Sequence, residues 1–483
     1  MRKLYPLLNS IGLPFSDRTM HVEEIIFDSR EARNGTLFIA LVGNSSDGHN
    51  YLPQVYEQGA KVAIVQRKAN LPEEFIQLVV PDTRIALAHL ACEWYGNPSK
   101  DLCLVGITGT NGKTTTATLL YQLFMQLGYQ SGLLSTVVNR IGTDQIQATH
   151  TTPNPLALNA MLRSMVDSGC SYCFMEVSSH AIHQQRIAGL QFKGGVFTNL
   201  SHDHLDYHQT FAAYIQAKKA FFDSLPSTAF ALSNQDDRNG QVMLQNTIAK
   251  KYMYSLHKLA DFKGLVVEND LSGLILKLND TEVHTQLIGA FNAYNLLAVF
   301  GAGILLGIPK PELMTAISSL GSVDGRFQFF RSTSDVTIVV DYAHTPDAIE
   351  NVLKTISGFI KAGQRIITVM GCGGDRDVAK RPAMAAIAQK LSHQVILTSD
   401  NPRSESPTRI IEDMEAGIDH THSTSVISIT DRKQAIHTAA LLSNTGDIVL
   451  IAGKGHEKYQ EISGVKHPFD DFLIAQSFFN KSH

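Results

Sequence analysis

The segment GTNGKTT at residues 109–115 gathers residue types suited to cradling phosphate. Gly109 and Gly112 allow backbone amides around Thr110 and Asn111 to turn toward phosphate oxygens, and a helix starting after them adds a favourable dipole. Lys113 would reach the outer phosphates, the Thr114 hydroxyl could ligate magnesium, and Thr115 closes the segment. The match to the pattern GxxxxGK followed by Ser or Thr is imperfect. Ile107 stands five residues before Gly112, with Gly106 and Gly109 on either side, so the loop is a variant. A glycine-rich helix cap is the bland alternative; the GK-Thr ending between a strand and a helix favours a nucleoside triphosphate.

Two further segments, MEVSSHAIHQQR and TNLSHDHLDYH, each end a run that reads as a strand. Glu176 sits at one such terminus, and His202, Asp203, His204, Asp206 and His208 crowd one loop. The histidines permit a zinc site, and a solvated polar turn is the other alternative. A phosphate loop elsewhere in the chain favours magnesium shared with nucleotide and held by few protein ligands. In QTFAAYIQAKKAFFDSL, an apolar stripe of Phe211, Tyr214, Ile215, Phe222 and Leu225 keeps helical spacing, and Lys218 falls in its middle. Lys219 is expected to lean toward the edge. A lysine on an inward stripe needs an anion, a function or a route to solvent by snorkelling.

These residues need a scaffold. At about 150 residues per domain, 483 residues suggest three domains. Short apolar runs alternate with amphipathic stretches, as in parallel sheets wrapped by helices. LCLVGIT, YCFMEVSS, GGVFTNL and TAFALSN are the expected strands of a central region. VTIVVDY, RIITVMG, QVILTSD and GDIVLIAG belong to a second, and EEIIFDS, TLFIALV and KVAIVQR to a smaller N-terminal unit linked by GNPSKD. Helical spacing of Leu119, Leu120, Leu123, Phe124 and Leu127 follows the phosphate loop. In such sheets ligands sit at the carboxyl ends of strands, where the unusual residues cluster.

The chain is 44% hydrophobic and 18% charged, with 41 basic against 45 acidic residues, a net charge of −4 and no basic block. That balance argues against nucleic acid as a partner. No uninterrupted apolar run reaches about 18 residues, so no membrane span is expected. The N-terminus, broken by Pro6, Asn9 and Ser10, does not read as a signal peptide. Five cysteines suit reduced thiols in a cytoplasm. Cys170 and Cys173 form a lone CxxC against an apolar strand, which lacks the second ligand pair of a zinc site.

GTNGKTT, TTPNP at 151–155, EVSSHA, TNLSHDHLDYH, the YIQAKK helix, GAFNAYN, DGRFQ, VDYAHTPDA, GCGGDRD and GKGHE occur in this order across most of the chain. Together they resemble the Mur ligases of peptidoglycan synthesis. The resemblance implies an α/β protein of three domains: an N-terminal substrate domain at 1–97, a central P-loop-type parallel sheet at 98–327 and a C-terminal Rossmann-like domain at 328–483. SDNPRSE narrows the implied activity to adding meso-diaminopimelate to UDP-N-acetylmuramoyl-L-alanyl-D-glutamate, with ATP and Mg2+, in a cytoplasmic monomer serving cell-wall growth, cell shape and division.

The same resemblance assigns roles. Ser29 and the loop Gly43, Asn44, Ser45 and Ser46 would hold the uridine diphosphate end; Thr151, Thr152, Ser178, Gln184 and Arg186 would hold the muramoyl peptide. Lys113, Lys218, His204 and Glu176 would be catalytic. Thr114, Glu176, His204 and Lys218 would surround magnesium, with Lys218 carried as a carbamate, which turns a cation into a carboxylate. Asn292, Arg326, Asp341 and His344 would join the phosphate loop in binding ATP; the bland roles for Asp341 and Arg326 are a strand-end cap and a surface ion pair. Arg376, Asp400, Asn401, Pro402, Arg403, Gly453 and Glu457 would form the amino-acid pocket, a guanidinium gripping the distal carboxylate that lysine lacks. Taken alone, DNPR reads as a proline turn. A lysine-adding or folate-polyglutamate ligase is the alternative within the class, and a P-loop regulatory ATPase the alternative outside it. No NKxD guanine-recognition motif supports the latter.

Overall fold

Apolar runs such as LVGI and IVVD lack polar alternation, so each must be covered on both faces. In the computed structural model they form the middles of parallel sheets. The structure describes residues 1–480 except Asn44, Ser45, Thr149, His202 and His422, and for Leu205 and Asp206 the backbone alone. All eleven strands expected from the sequence are strands.

The central sheet has eleven strands. Its core runs in parallel order Ser131–Leu134, Tyr172–Glu176, Cys103–Thr108, Gly194–Phe197, Phe230–Asn234 and Lys250–Ser255. The sheet is mixed rather than wholly parallel. Val138–Ile141 and Asp144–Gln147 add an antiparallel hairpin at one edge, and Phe262–Asp270 leads into antiparallel Gly273–Leu278 and Thr281–Thr285 at the other. These edge strands are polar or alternating, DQIQ being exposed throughout, so no apolar run announces them.

The C-terminal sheet places five parallel strands in the order Thr337–Asp341, Ile448–Ala452, Ile366–Cys372, Gln394–Ser399 and Ser425–Ser428, with antiparallel Gln328–Arg331 on the edge. Glu24–Ile26, Thr36–Ile39, Val62–Val65 and Ile76–Val79 make a four-stranded parallel N-terminal sheet. Each sheet has its own apolar clusters, and seams join them: Leu156 packs into the N-terminal core, and Ile288 and Phe291 into the C-terminal one. The final helix, Asp471–Phe479, is pinned by a fully enclosed pair in which Arg432 Nε and Nη2 donate to the Asp471 carboxylate at 2.8 and 2.7 Å.

Among the described residues no helix is long and apolar enough to cross a membrane. All five cysteines are free, and burial raises the Cys170 and Cys173 thiols.

Candidate functional site

The phosphate loop, EVSSHA and TNLSHDHLDYH each leave the carboxyl end of a parallel strand. The phosphate loop follows Cys103–Thr108 and enters the helix Lys113–Gln126. It is laced to the segment after Gly194–Phe197: Asn199 Oδ1 accepts the Asn111 N–H at 2.9 Å, Thr198 Oγ1 donates to Asn111 O at 2.6 Å, and Thr110 Oγ1 accepts the Ser201 N–H at 3.0 Å. A Cβ on Gly109 would lie 1.9 Å from Thr198 Oγ1, so this close approach admits only glycine. Thr114 and Thr115 are buried in the first helical turn.

Two ammonium groups converge on this loop. Lys113 Nζ donates to Gly109 O at 3.0 Å and Thr110 O at 2.7 Å; Lys218 Nζ donates to the same Gly109 O at 2.7 Å and lies over the Tyr214 ring. Lys218 is 1% exposed, so it does not snorkel. Burial lowers the pKa of both lysines, that of Lys218 well below its usual range, where the nearby Lys113 charge adds to the effect. Lys219 corrects the expectation of an edge position: it is buried and paired with Asp223, one turn along the helix, at 2.7 Å.

Glu176 ends its strand fully buried, its oxygens accepting the Thr136 N–H at 2.7 Å and hydroxyl at 3.1 Å. Thr136 carries no sequence signal and was not anticipated. His204, half-buried with φ of +54°, lies 3.4 Å from Asp203; burial lowers its pKa to about 4 against the pull of that carboxylate. The His208 ring packs on Tyr214 and Tyr207, a supporting position in the loop, and His202 lies outside the described residues. Among the described residues no three His, Cys, Asp or Glu side chains converge as zinc would require.

The five residues assigned to the muramoyl peptide lie around this carboxylate. Thr136 Oγ1, whose proton is directed to Glu176, lies 3.0 Å from the Thr151 hydroxyl and can accept from it; Thr152 Oγ1 donates to Glu176 O at 2.8 Å and is 3.4 Å from Ser178 Oγ. Arg186 donates to Thr152 O at 2.8 Å and twice to Gln184 Oε1, at 3.0 and 2.7 Å. Tyr207, unanticipated, accepts from Gln184 at 3.1 Å. In the N-terminal unit Ser29 follows one strand and the 43–46 turn follows its parallel neighbour. Ser46 O accepts the Gly43 N–H at 2.8 Å and Ser46 Oγ donates to Tyr51 at 3.1 Å; Asn44 and Ser45 lie outside the described residues.

The junction of the central and C-terminal units reaches the phosphate loop. Arg326 Nη2 donates to Thr114 Oγ1 at 3.1 Å, with its guanidinium 4.6 Å from the Tyr342 ring centroid. Asp341 accepts the Phe327 N–H at 2.7 Å, so it caps the segment that aims Arg326; burial raises its pKa. His344 Nδ1 lies 2.7 Å from Tyr342 O, and burial, with the charge of Lys380, lowers its pKa to about 4. Asn111 Nδ2 donates to Asp347 Oδ2 at 2.6 Å, a direct tie between the units that the sequence did not reveal. Asn292 connects to the loop through Asn295. It donates to Ile288 O at 2.8 Å and accepts from Asn295 at 3.0 Å, while Asn295 Oδ1 lies 2.5 Å from where a Gly112 side chain would begin. One helical turn separates the two asparagines, and Asn295 lies on the loop-facing side.

The amino-acid candidates gather at three strand ends. Asn401 Nδ2 donates to Glu457 Oε2 at 2.6 Å, and Tyr342 OH lies 3.5 Å from Glu457 Oε1. A Cβ on Gly453 would stand 2.4 Å from Asp400 Oδ2, which explains the glycine. Pro402 O accepts the Glu405 N–H at 3.0 Å; Arg403, at φ of +52°, donates Nη1–H to Gly374 O at 2.7 Å, while Arg376 is exposed above the pocket. The hairpin Tyr459–Ile462/Val465–Pro468 clamps Arg403 through the Arg403 N–H to Glu461 O at 3.0 Å and the Ser463 N–H to Arg403 O at 2.7 Å. Arg381, 1% exposed, ties both loops by donating to Glu405 at 2.9 and 2.8 Å and to Gly373 O at 3.2 Å. Neither Arg381 nor Lys454, which lies between the glycines of GKGHE, was anticipated; a charged residue directly after a buried strand was the available signal for Lys454.

The Mur ligase family catalytic domain matches residues 21–95, the Mur ligase middle domain residues 107–303, and the Mur ligase glutamate ligase domain residues 325–455. A UDP-N-acetylmuramoyl-L-alanyl-D-glutamate–2,6-diaminopimelate ligase of Cytophaga hutchinsonii is 53% identical over 95% of each chain, and one of Phocaeicola vulgatus 52% identical over 96% of each. A solved ligase of the same name is 33% identical, covers 98% of each chain and superposes with a TM-score of 0.70. MurF from Acinetobacter baumannii, 18% identical with a TM-score of 0.64 over 94% of this chain and 95% of its own, shares the fold. With matched domains across most of its length and relatives of such identity, this chain belongs to the Mur ligase family.

Proposed function

We propose that this protein is an ATP-dependent amide ligase that joins meso-diaminopimelate to UDP-N-acetylmuramoyl-L-alanyl-D-glutamate in the cytoplasm, acting as a monomer. The N-terminal unit, residues 1–97, anchors the nucleotide sugar; residues 98–327 handle ATP; residues 328–483 capture the amino acid. The observation that carries the reading is a path of three contacts, Thr114 to Arg326, Arg326 to the Tyr342 ring, and Tyr342 to Glu457, which links the phosphate loop to the amino-acid pocket. A switch ATPase has no use for that second pocket. The names of relatives half identical to this chain supply the substrates.

A carboxylate is a poor acceptor for an amine because oxide would have to leave. Transfer of the outer ATP phosphoryl group to the glutamyl carboxylate gives an acyl phosphate. The diaminopimelate amine attacks its carbonyl carbon, and the tetrahedral intermediate collapses to amide and phosphate. Lys113 and Arg326 neutralise charge on the phosphoryl group, Arg186 and Thr152 hold the peptide, and closure of the units excludes water from the acyl phosphate.

The residues fit magnesium. Glu176 offers a buried hard carboxylate whose hydrogen-bond donors among the described residues are the two groups of Thr136, and Thr114 presents a hydroxyl; a shared ion needs few protein ligands. Glu176, His204, Thr114 and a carbamylated Lys218 would hold it, and bound there it would neutralise phosphate charge. The depressed pKa of Lys218 favours the neutral amine, which adds to CO2 to form a carbamate and release one proton. The test is phosphate release with ATP, the UDP-muramoyl dipeptide and either diaminopimelate or lysine. Turnover only with diaminopimelate is expected. Equal activity with lysine overturns the pocket assignment, and turnover indifferent to both acceptors overturns the ligase reading.

A further inference from the structure

Lys454 has no part in the chemistry above, yet it is wholly buried, an arrangement tolerated only where an ammonium keeps strong partners. Its Nζ donates to Asn401 Oδ1 at 2.9 Å and Glu457 Oε2 at 3.3 Å, and lies 3.8 Å from Asp400 Oδ1. Asn401 Oδ1 accepts a second hydrogen bond from the Glu461 N–H at 2.9 Å, while its Nδ2 donates to Glu457 at 2.6 Å. An amide has one accepting and one donating end, so two donors on Oδ1 allow a single orientation of Asn401.

Building on the function proposed above, we infer that Lys454 is a positioning residue of the amino-acid pocket: a fixed internal cation that orients Asn401 and keeps Glu457 ionised beside Asp400, so that the pocket presents a carboxylate to the substrate ammonium. Two neighbouring carboxyl groups cannot both ionise in a buried site without a cation between them. Burial and Asp400 push the Glu457 pKa up, and Lys454 opposes them. The other groups facing Glu457 do not replace it. Tyr342 and Tyr459 are neutral phenols, and Arg432, whose charge also acts on Asp400 and Glu457, spends its hydrogen bonds on Asp471 and Ala452 O and donates none to either carboxylate.

The test compares the full-length wild type with Lys454→Gln and Lys454→Met by phosphate release across pH 5.5 to 9. For both variants the KM for diaminopimelate should rise roughly tenfold or more at neutral pH, with KM values for ATP and the nucleotide sugar within about twofold, and the acid limb of kcat/KM for diaminopimelate should move up by about one pH unit. Lys454→Gln, which keeps a donor for Asn401, should show the limb shift with the smaller KM change. Three KM values rising together, or an acid limb unmoved from wild type, overturns the inference. Should neither variant fold, Glu457→Gln decides: loss of the acid limb supports the inference and its persistence overturns it. A wild type that ignores diaminopimelate overturns the activity itself, whereas an active wild type with unaltered variants overturns only the role of Lys454.

Discussion

At the phosphate loop two ammonium groups, Lys113 and Lys218, share the Gly109 carbonyl, whereas in the C-terminal pocket one ammonium, Lys454, is divided among Asn401, Glu457 and Asp400. In the first region the two lysines are held on backbone carbonyls, Lys113 as the group that meets anionic phosphate and Lys218 with its pKa depressed toward the neutral amine. The second is nearly balanced within itself, so it recognises by orientation more than by field. Net charge near zero conceals both, because each depends on a local arrangement of a few groups.

The sharpest way to break this contrast is Lys113→Met, which should lower phosphate release by about a thousandfold or more while binding of the UDP-muramoyl dipeptide, read by calorimetry, persists. Loss of less than tenfold would mean that the loop field does not drive the reaction. Next is Arg403→Lys. A point charge in place of a planar fork clamped at φ of +52° should raise the diaminopimelate KM by roughly 10- to 100-fold, leaving the ATP KM nearly unchanged. An unaltered diaminopimelate KM would remove orientation as the pocket's principle.

Between the regions stands the Asn111–Asp347 hydrogen bond. Asn111→Ala and Asp347→Asn should each cost up to about tenfold in kcat, with a double-mutant coupling of about 0.5–1.5 kcal/mol in transition-state free energy. Strict additivity would show that the tie is incidental. The smallest effect at neutral pH concerns the same junction. Burial holds His344 and His456, whose rings both pack on Tyr342, neutral, with pKa values lowered to about 4 and about 3. Their stabilising preference is complete above the unfolded value of about 6.5 and is lost as pH falls through the folded values, so unfolding takes up two protons in that window. The melting temperature should therefore drop steadily from about pH 6.5 to 4; a flat profile would place these rings in solvent.

Much of this contrast was legible in the residues themselves. The phosphate loop is local, with strand, turn and helix written in fifteen or so consecutive positions, and Lys218 stood out because it broke an apolar stripe. Thr136, Asn295, Asp347, Arg381 and Lys454 were not legible. They are polar residues beside turns or in the first two turns of helices, with no periodicity to mark them, and their partners lie 40 residues away for Thr136 and 53 for Lys454. Lys219 was misplaced for a related reason: angular position on a helix says which way a side chain leaves the axis, but the pairing with Asp223 and the packing around the helix decide whether it is covered.

The contact from Asn111 to Asp347 spans 236 residues, and that from Thr114 to Arg326 spans 212. A ribosome adding about 5–20 residues per second completes the phosphate loop roughly 10–50 seconds before it supplies the side chains that close over it. A nascent chain thus carries an unfinished nucleotide site through roughly half of its own synthesis. The arginine and aspartate that complete the loop emerge together with the start of the unit that carries the amino-acid candidates.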